Sequence, residues 1–247
     1  MDAQDARYMA FPELSPYVKG DRYELLKDDH KYFIAKLRRT LDTAKVFSLC
    51  DAGCGNGEMI YQFKKVFPHW KFTGHDFTQE FIDAAKRYPG LAGVDFARKD
   101  LLDPVTGADR ERFDVIFCSS VFQIFTSIEK PLTNLLDLCK TGGTLFVDGL
   151  FNPYDIEVRL QYCDNTQDKT RGQWRTDWNQ HTQSSIRRFL DGKVRSVTFE
   201  EVVNELDIPK NEKAPINRWT FRDAAGKNMA TNGTHLIMPR ILMTVVK

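Results

Sequence analysis

Three absences narrow the reading of this 247-residue chain. It has no apolar run approaching the roughly 18 residues that a membrane-spanning helix requires. Its first residues, Met1-Asp2-Ala3-Gln4-Asp5, are acidic where an export signal would be basic and then apolar, so a cytoplasmic protein is expected. There is no surplus of charge either: Lys+Arg 35 stand against Asp+Glu 34, a net charge of +1, and no long-range field recommends nucleic acid or a membrane surface as partner. Cysteine is sparse. Cys50, Cys54, Cys118, Cys139 and Cys163 include no Cys-x-x-Cys pair and lie mostly in apolar stretches, which reads as buried thiols in a reducing compartment, with no metal expected. The length suits one α/β domain with a sizeable core.

What is present centres on Val46-Phe47-Ser48-Leu49-Cys50-Asp51-Ala52-Gly53-Cys54-Gly55-Asn56-Gly57-Glu58. Five largely apolar residues read as a buried strand, a carboxylate closes it, and glycines follow at every second position. Met59 to Val66 then resumes with helical spacing. Such a strand, tight turn and helix N-terminus lets a ligand lie against bare backbone and meet free N–H groups. A dinucleotide fingerprint would want a small residue where Glu58 stands, so a dehydrogenase is disfavoured. The run Asp51-Ala-Gly-Cys-Gly-Asn-Gly57 instead resembles the first motif of the class I S-adenosylmethionine-dependent methyltransferases. The resemblance implies that Gly53 and Gly55 pass under the methionine part of that cofactor, with Asp51 near its amino group.

Later segments extend the pattern. Lys71 to Asp76 is a short strand ending in an acid, and a carboxylate there can accept both ribose hydroxyls, with Phe77 expected against the adenine. Thr78 is expected to cap a helix over Glu80–Tyr88. Val94 to Leu101 reads as a third strand; the family resemblance assigns Asp100 to the adenine amino group and the Leu101 N–H to a ring nitrogen. Phe113 to Phe122 is a fourth strand similar to the family's fourth motif, with Cys118 and Ser119 implied to line the cofactor through backbone atoms. An amphipathic helix over 128–140, capped by Ser127, is expected to stop at Gly142-Gly143, before a fifth strand, Thr144 to Asp148. Two late strands, within Lys193–Phe199 and Arg240–Val246, fit the family's finish. The expected fold is therefore α/β and doubly wound: a mostly parallel seven-stranded sheet with an antiparallel last strand, helices on both faces and an insertion after strand 5.

The expected organisation is one domain over 1–247. Residues 1–43 form an arm and helices acting as a lid, with Tyr17 and Tyr23 as candidate lid aromatics, although an aromatic at helical spacing is more often core. Residues 44–148 are the cofactor-binding core, 149–182 a cap over the acceptor, and 183–247 the strands that complete the sheet. The cap is rich in aromatic and amide residues, including Trp174 and Trp178, and carries His181, which makes it the expected seat of specificity. A hydroxyl acceptor benefits from a general base, and His181 is the first candidate with Asp148 the second. The resemblance thus implies an S-adenosylmethionine-dependent enzyme methylating a small polar acceptor, at oxygen by preference, with N- or C-methylation, aminopropyl transfer or a non-catalytic cofactor-binding module as alternatives. An Asn-Pro-Pro-Tyr-type signature is absent after the fourth strand, where Ser119-Ser120-Val121-Phe122 stands, so DNA or protein-glutamine methylation is disfavoured.

Overall fold

The computed structural model describes residues 23–168, 170–202 and 207–247. The arm over residues 1–20, with Tyr17, lies outside them. Five strands and four helices build the frame: helix α1 (Asp28–Thr40), strand β1 (Ser48–Ala52), α2 (Glu58–Val66), β2 (Lys71–Asp76), α3 (Gln79–Arg87), β3 (Asp95–Arg98), β4 (Phe113–Ser119), α4 (Glu129–Leu138) and β5 (Cys139–Gly149). Helix α5 (Gln183–Leu190), strand β6 (Ser196–Glu201) and strand β7 (Ile241–Val246) complete it.

The seven strands lie in the order β6-β7-β5-β4-β1-β2-β3. Strand β7 runs antiparallel to both of its neighbours, and every other pairing is parallel. Alternation along the strands sorts side chains to two cores, as the two-residue period of a pleated strand demands. Leu49, Phe117, Phe146 and Leu242 pack with Phe33 and Leu37 of α1, Phe63 of α2 and Ile82 of α3. Their neighbours Cys50, Ile116, Leu145 and Met243 pack on the opposite face with Leu132 and Leu135 of α4 and Ile186 of α5. The sheet is doubly wound, with helices on both faces as expected.

Several boundaries differ from the sequence reading. Strand β1 begins at Ser48 and continues through Ala52, because its register with β2 starts at Ser48 opposite Lys71; Val46 is exposed. The pair Gly142-Gly143 does not end α4. That helix stops at Leu138 because Cys139 already pairs with Phe113, and the glycines pass inside a long β5, where a Cβ on Gly143 would come within 2.8 Å of the Asp114 carbonyl oxygen. Strand β6 lies three residues later than expected, set by its pairing of Ser196 with Val246. Among the described residues no helix is long and apolar enough to cross a membrane.

After β5 the chain does not return directly to a helix. Phe151–Asn152 pairs in parallel with His181–Thr182, and between them Gln161–Cys163 and Trp174–Thr176 form an antiparallel hairpin. Buried Asn179 ties this insertion to the loop beyond β4: its side-chain amide donates to the Phe125 carbonyl at 2.9 Å and its backbone N–H to the Gln123 carbonyl at 3.0 Å. Gln180 donates to the carbonyl of Ile237, ahead of β7, at 2.9 Å. The insertion is therefore moored at the carboxyl-terminal ends of β4 and β5, the edge where open α/β sheets carry their ligands.

Candidate active site

The turn after β1 has the conformation its glycines anticipate. Gly53, Gly55 and Gly57 have φ of 88°, 53° and 83°, a region costly for side-chain-bearing residues. Their surroundings differ. A Cβ on Gly53 would lie 2.4 Å from a Val121 methyl and one on Gly57 2.8 Å from a Leu91 methyl, whereas one on Gly55 would meet nothing within 4 Å. Gly53 and Gly57 are thus small for packing, and Gly55 leaves an open cradle. The turn is held from both sides: Gly53 and Cys54 donate to the His75 carbonyl at 2.7 and 3.0 Å, and Tyr23 donates to the Asn56 carbonyl at 2.7 Å. Tyr23, stacked on Tyr88 with ring centroids 3.7 Å apart, is both core and a clamp on this turn.

Asp51 ends up 3% exposed, and its carboxyl has no hydrogen-bond partner among the described residues. Burial first, and then the charge of Asp76, push its pKa up to about 8. A buried carboxyl left without a donor beside a bare-backbone cradle is costly unless a ligand supplies a positive group or a donor. Asp76, at the end of β2, accepts from Gly55 N–H through Oδ2 and from Thr78 N–H through Oδ1, each at 2.8 Å. Burial raises its pKa, and those two N–H groups and the Thr78 hydroxyl oppose the rise. Thr78 occupies the N-cap position of α3 without a side-chain cap bond. Two carboxylate oxygens, with about four lone-pair sites between them, retain room for a further donor.

Phe77 lies against the Arg98 guanidinium, 5.1 Å from its ring centroid, and its carbonyl accepts from Arg98 Nε at 3.0 Å. Asp100 accepts from the Leu102 N–H at 2.8 Å, and the Leu101 carbonyl accepts from buried Asn134 at 2.7 Å. Cys118 is fully buried and Ser119 partly so at the end of β4. The carboxyl-terminal ends of β1 to β4 therefore carry Asp51, Asp76, Asp100 and Ser119 along one edge of the sheet.

Next to this edge, beyond β4 and β5, a small solvent-open cavity is lined by Ser120, Gln123, Asp148, Gly149 and Leu150, with Trp178 of the insertion and Arg218, Met238 and Arg240 of the C-terminal part. Ser120 and Trp178 have φ of 59° and 60°, two of the four positive-φ non-glycine residues among those described. Such strain gathers where a site holds its backbone against preference. The indole N–H of Trp178 and the side-chain oxygen of Gln123 are buried without partners.

The two expected bases do not fit that role geometrically. Asp148 is fully buried and grips Arg240 at 3.0 Å from Nε to each oxygen and 2.8 Å from Nη2, while Ser119 and Ser120 donate to Oδ2 at 2.9 and 3.3 Å. Its charge is paired with Arg240 and its Oδ2 takes four donors, so it orients Arg240 instead of awaiting a proton. His181 is 1% exposed and does not line the cavity. Its Nε2 lies 3.2 Å from the Phe122 carbonyl, its Nδ1 makes no hydrogen bond and lies 3.9 Å from Glu157 Oε2, and burial, seconded by Arg159, lowers its pKa. It is a tie between the insertion and the loop after β4.

Sequence reasoning missed Arg240 and Arg218. Arg240 stands just ahead of β7 and reaches Asp148 across 92 residues because the antiparallel register sets Ile241 opposite Gly149; only the strand pairing reveals this. It also contacts Asp29 of α1 at 3.3 Å. Among the described residues no three His, Cys, Asp or Glu side chains converge as metal ligands.

Comparison with known proteins fits this geometry. The fold is shared with a solved Bacillus subtilis protein, YcgJ, at a TM-score of 0.56 and 13% identity, over 88% of this chain and 99% of that one. The fold is Rossmann-like, and within it residues 50–145 match the family model described as a methyltransferase domain. A malonyl-[acyl-carrier protein] O-methyltransferase from Bacillus cereus is 28% identical over 147 residues, 57% of this chain and 50% of that protein. A ubiquinone biosynthesis O-methyltransferase from Coxiella burnetii is 25% identical over 181 residues, 68% of this chain and 74% of that one. The match thus spans only half the length of the Bacillus cereus relative.

Proposed function

We propose that the chain transfers a methyl group from S-adenosylmethionine to a small polar acceptor at oxygen. The observation that carries the cofactor reading is the buried, donorless Asp51 carboxyl beside the open cradle at Gly55. When bound, the cofactor supplies an activated methyl group on a sulfonium, an excellent leaving group. Asp51 would hold its amino group, Asp76 its ribose hydroxyls, Phe77 one side of the adenine and Asp100 with Leu101 the adenine edge, with Cys118 and Ser119 closing the remaining side.

What this chain's residues then contribute is alignment and exclusion of water. Orientation of an acceptor lone pair supplies several kcal/mol of a transfer barrier. The cavity beyond β4 and β5 is the proposed acceptor chamber, with Trp178 as the part of the cap that enters it. Methylation at oxygen is favoured over nitrogen by the O-methyltransferase names of both relatives. Calorimetry with S-adenosylhomocysteine and NAD tests the reading: micromolar binding of the first alone is expected, and binding of NAD alone overturns it.

A further inference from the structure

Two arginines line the acceptor cavity, and their circumstances differ. Arg240 is saturated: it holds Asp148 through Nε and Nη2 and Asp29 through Nη1. Burial alone would lower its pKa, and these two carboxylates hold it above the ordinary arginine value. Arg218 is half-buried in the same wall, with no hydrogen-bond or ion-pair partner among the described residues. Burial lowers its pKa, Arg240 adds to that, and Asp29 and Asp148 act from a distance in the opposite sense. Both acids in its neighbourhood are engaged by Arg240, which leaves Arg218 as a partly desolvated fork of donors with no acceptor among the described residues. Its cavity also holds an indole, Trp178, whose buried N–H is unpartnered.

Among the described residues, the same walls have no group free to take a proton. None of the described His, Lys, Cys or Tyr residues lines the cavity, and the one carboxylate there, Asp148, is paired with Arg240 and accepts from Ser119 and Ser120. A neutral hydroxyl would have to lose its proton without help from the wall. An acceptor oxygen that enters already ionised needs no base, and a carboxylate is an oxygen anion whose geometry matches a guanidinium fork.

Resting on the methyl-transfer reading above, we infer that the acceptor is a small carboxylic acid, bound as its carboxylate by Arg218 and methylated on a carboxylate oxygen to give a methyl ester. One oxygen stays in the grip of Arg218 while the other forms the new O–CH₃ bond. The S–CH₃ bond breaks with its electron pair passing to sulfur, so a sulfonium and a carboxylate become a thioether and a neutral ester. No proton moves. The reaction cancels a pair of opposite charges in a partly desolvated cavity, and the neutral ester has lost the charge that Arg218 held, which favours its release.

The test uses the full chain saturated with S-adenosylhomocysteine, and a panel of acids of graded size (acetate, succinate, glutarate, benzoate, phenylacetate) beside their primary amides, read by saturation-transfer NMR and calorimetry. At least one acid should bind ten-fold or more tightly than its amide. Arg218→Gln should abolish that preference, Arg218→Lys should keep part of it, and neither should move S-adenosylhomocysteine affinity by more than about twofold. No acid preferred over its amide overturns the inference, as does a preference that survives Arg218→Gln. A tenfold loss of S-adenosylhomocysteine affinity in Arg218→Gln also overturns it, by assigning Arg218 to the cofactor. Should Arg218→Gln fail to fold, the acid-against-amide comparison on the natural chain still decides. In parallel, label from methyl-tritiated S-adenosylmethionine transferred into a metabolite extract should be released as methanol by mild base. Base-stable label defeats the carboxylate and leaves methyl transfer standing, whereas absent S-adenosylhomocysteine binding defeats the methyl-transfer reading itself.

Discussion

Asp51 and Asp76 carry opposite lessons although both end a strand on the same edge. Asp51 has no donor, and a folded-state pKa of about 8 against an ordinary 3.8 means that the native protein prefers the protonated acid. For a raised acid, that stabilisation is complete below the unfolded pKa and is lost as pH climbs from about 4 to about 8. Asp51→Asn cannot ionise, so its melting temperature should exceed that of the natural chain by several degrees at pH 8.5, with the gap shrinking steadily towards pH 5. At pH 8.5 the same variant should bind S-adenosylhomocysteine at least tenfold more weakly, since the lost negative charge is what meets the amino group. A melting gap that does not change with pH means that Asp51 ionises normally in the fold. Asp76 already has two backbone donors, and its proposed task is to accept from the ribose as well. Asp76→Ala should then weaken S-adenosylhomocysteine binding by roughly 1.5–3 kcal/mol. A change below twofold in calorimetry would reduce Asp76 to a tie between the glycine turn and α3. Both residues were legible from sequence because each closes a short apolar strand, and a strand end is local information.

At the scale of the element, the insertion after β5 separates what pattern can and cannot reveal. Its aromatic and amide content marked it as a cap, yet two tryptophans that look equivalent in sequence have different fates. Trp174 sits on the outer hairpin and is 71% exposed, while Trp178, at a positive φ, lines the cavity. Trp178→Ala should therefore raise acceptor KM or lower kcat by tenfold or more, and Trp174→Ala should leave both within about twofold, with S-adenosylhomocysteine affinity unchanged in either. Equal effects from the two would remove Trp178 from the acceptor chamber. His181 shows the limit from the other side: it was the one histidine in the polar segment, but the short parallel pairing of Phe151–Asn152 with His181–Thr182 turns its ring inward to Phe122. The glycine pair inside β5 misled for a related reason, since strand pairing with β4 overrode a local helix-stop signal. Period and punctuation report on a segment's own preferences; which neighbour it meets is decided elsewhere.

At the scale of the molecule, the group least visible in sequence is the one that joins the most parts. Arg240 enters from the segment ahead of β7, grips Asp148 at the end of β5, reaches Ser119 of β4 at 3.4 Å and Asp29 of α1 at 3.3 Å, and lies over the Phe33 ring. The last strand and the first described helix are thereby locked to the centre of the sheet beside the proposed acceptor cavity. Removing the cation leaves Asp148 charged and without its counter-ion in a place with no exposure to water, which costs about 3–5 kcal/mol for a pair of this kind. In a chain of this length each kcal/mol moves the melting temperature by about 2–4 °C, so Arg240→Ala should fall by roughly 6–20 °C. Asp148→Ala should show a loss of similar order, because Arg240 keeps only the longer contacts to Asp29 and Ser119. The double variant has neither orphan, so its loss should be smaller than the sum of the two single losses by at least 1 kcal/mol, a coupling that direct contact predicts. Strict additivity in chemical denaturation would show that the two side chains contribute separately, and that the bond between β7 and β5 rests on the sheet's backbone pairing and packing alone.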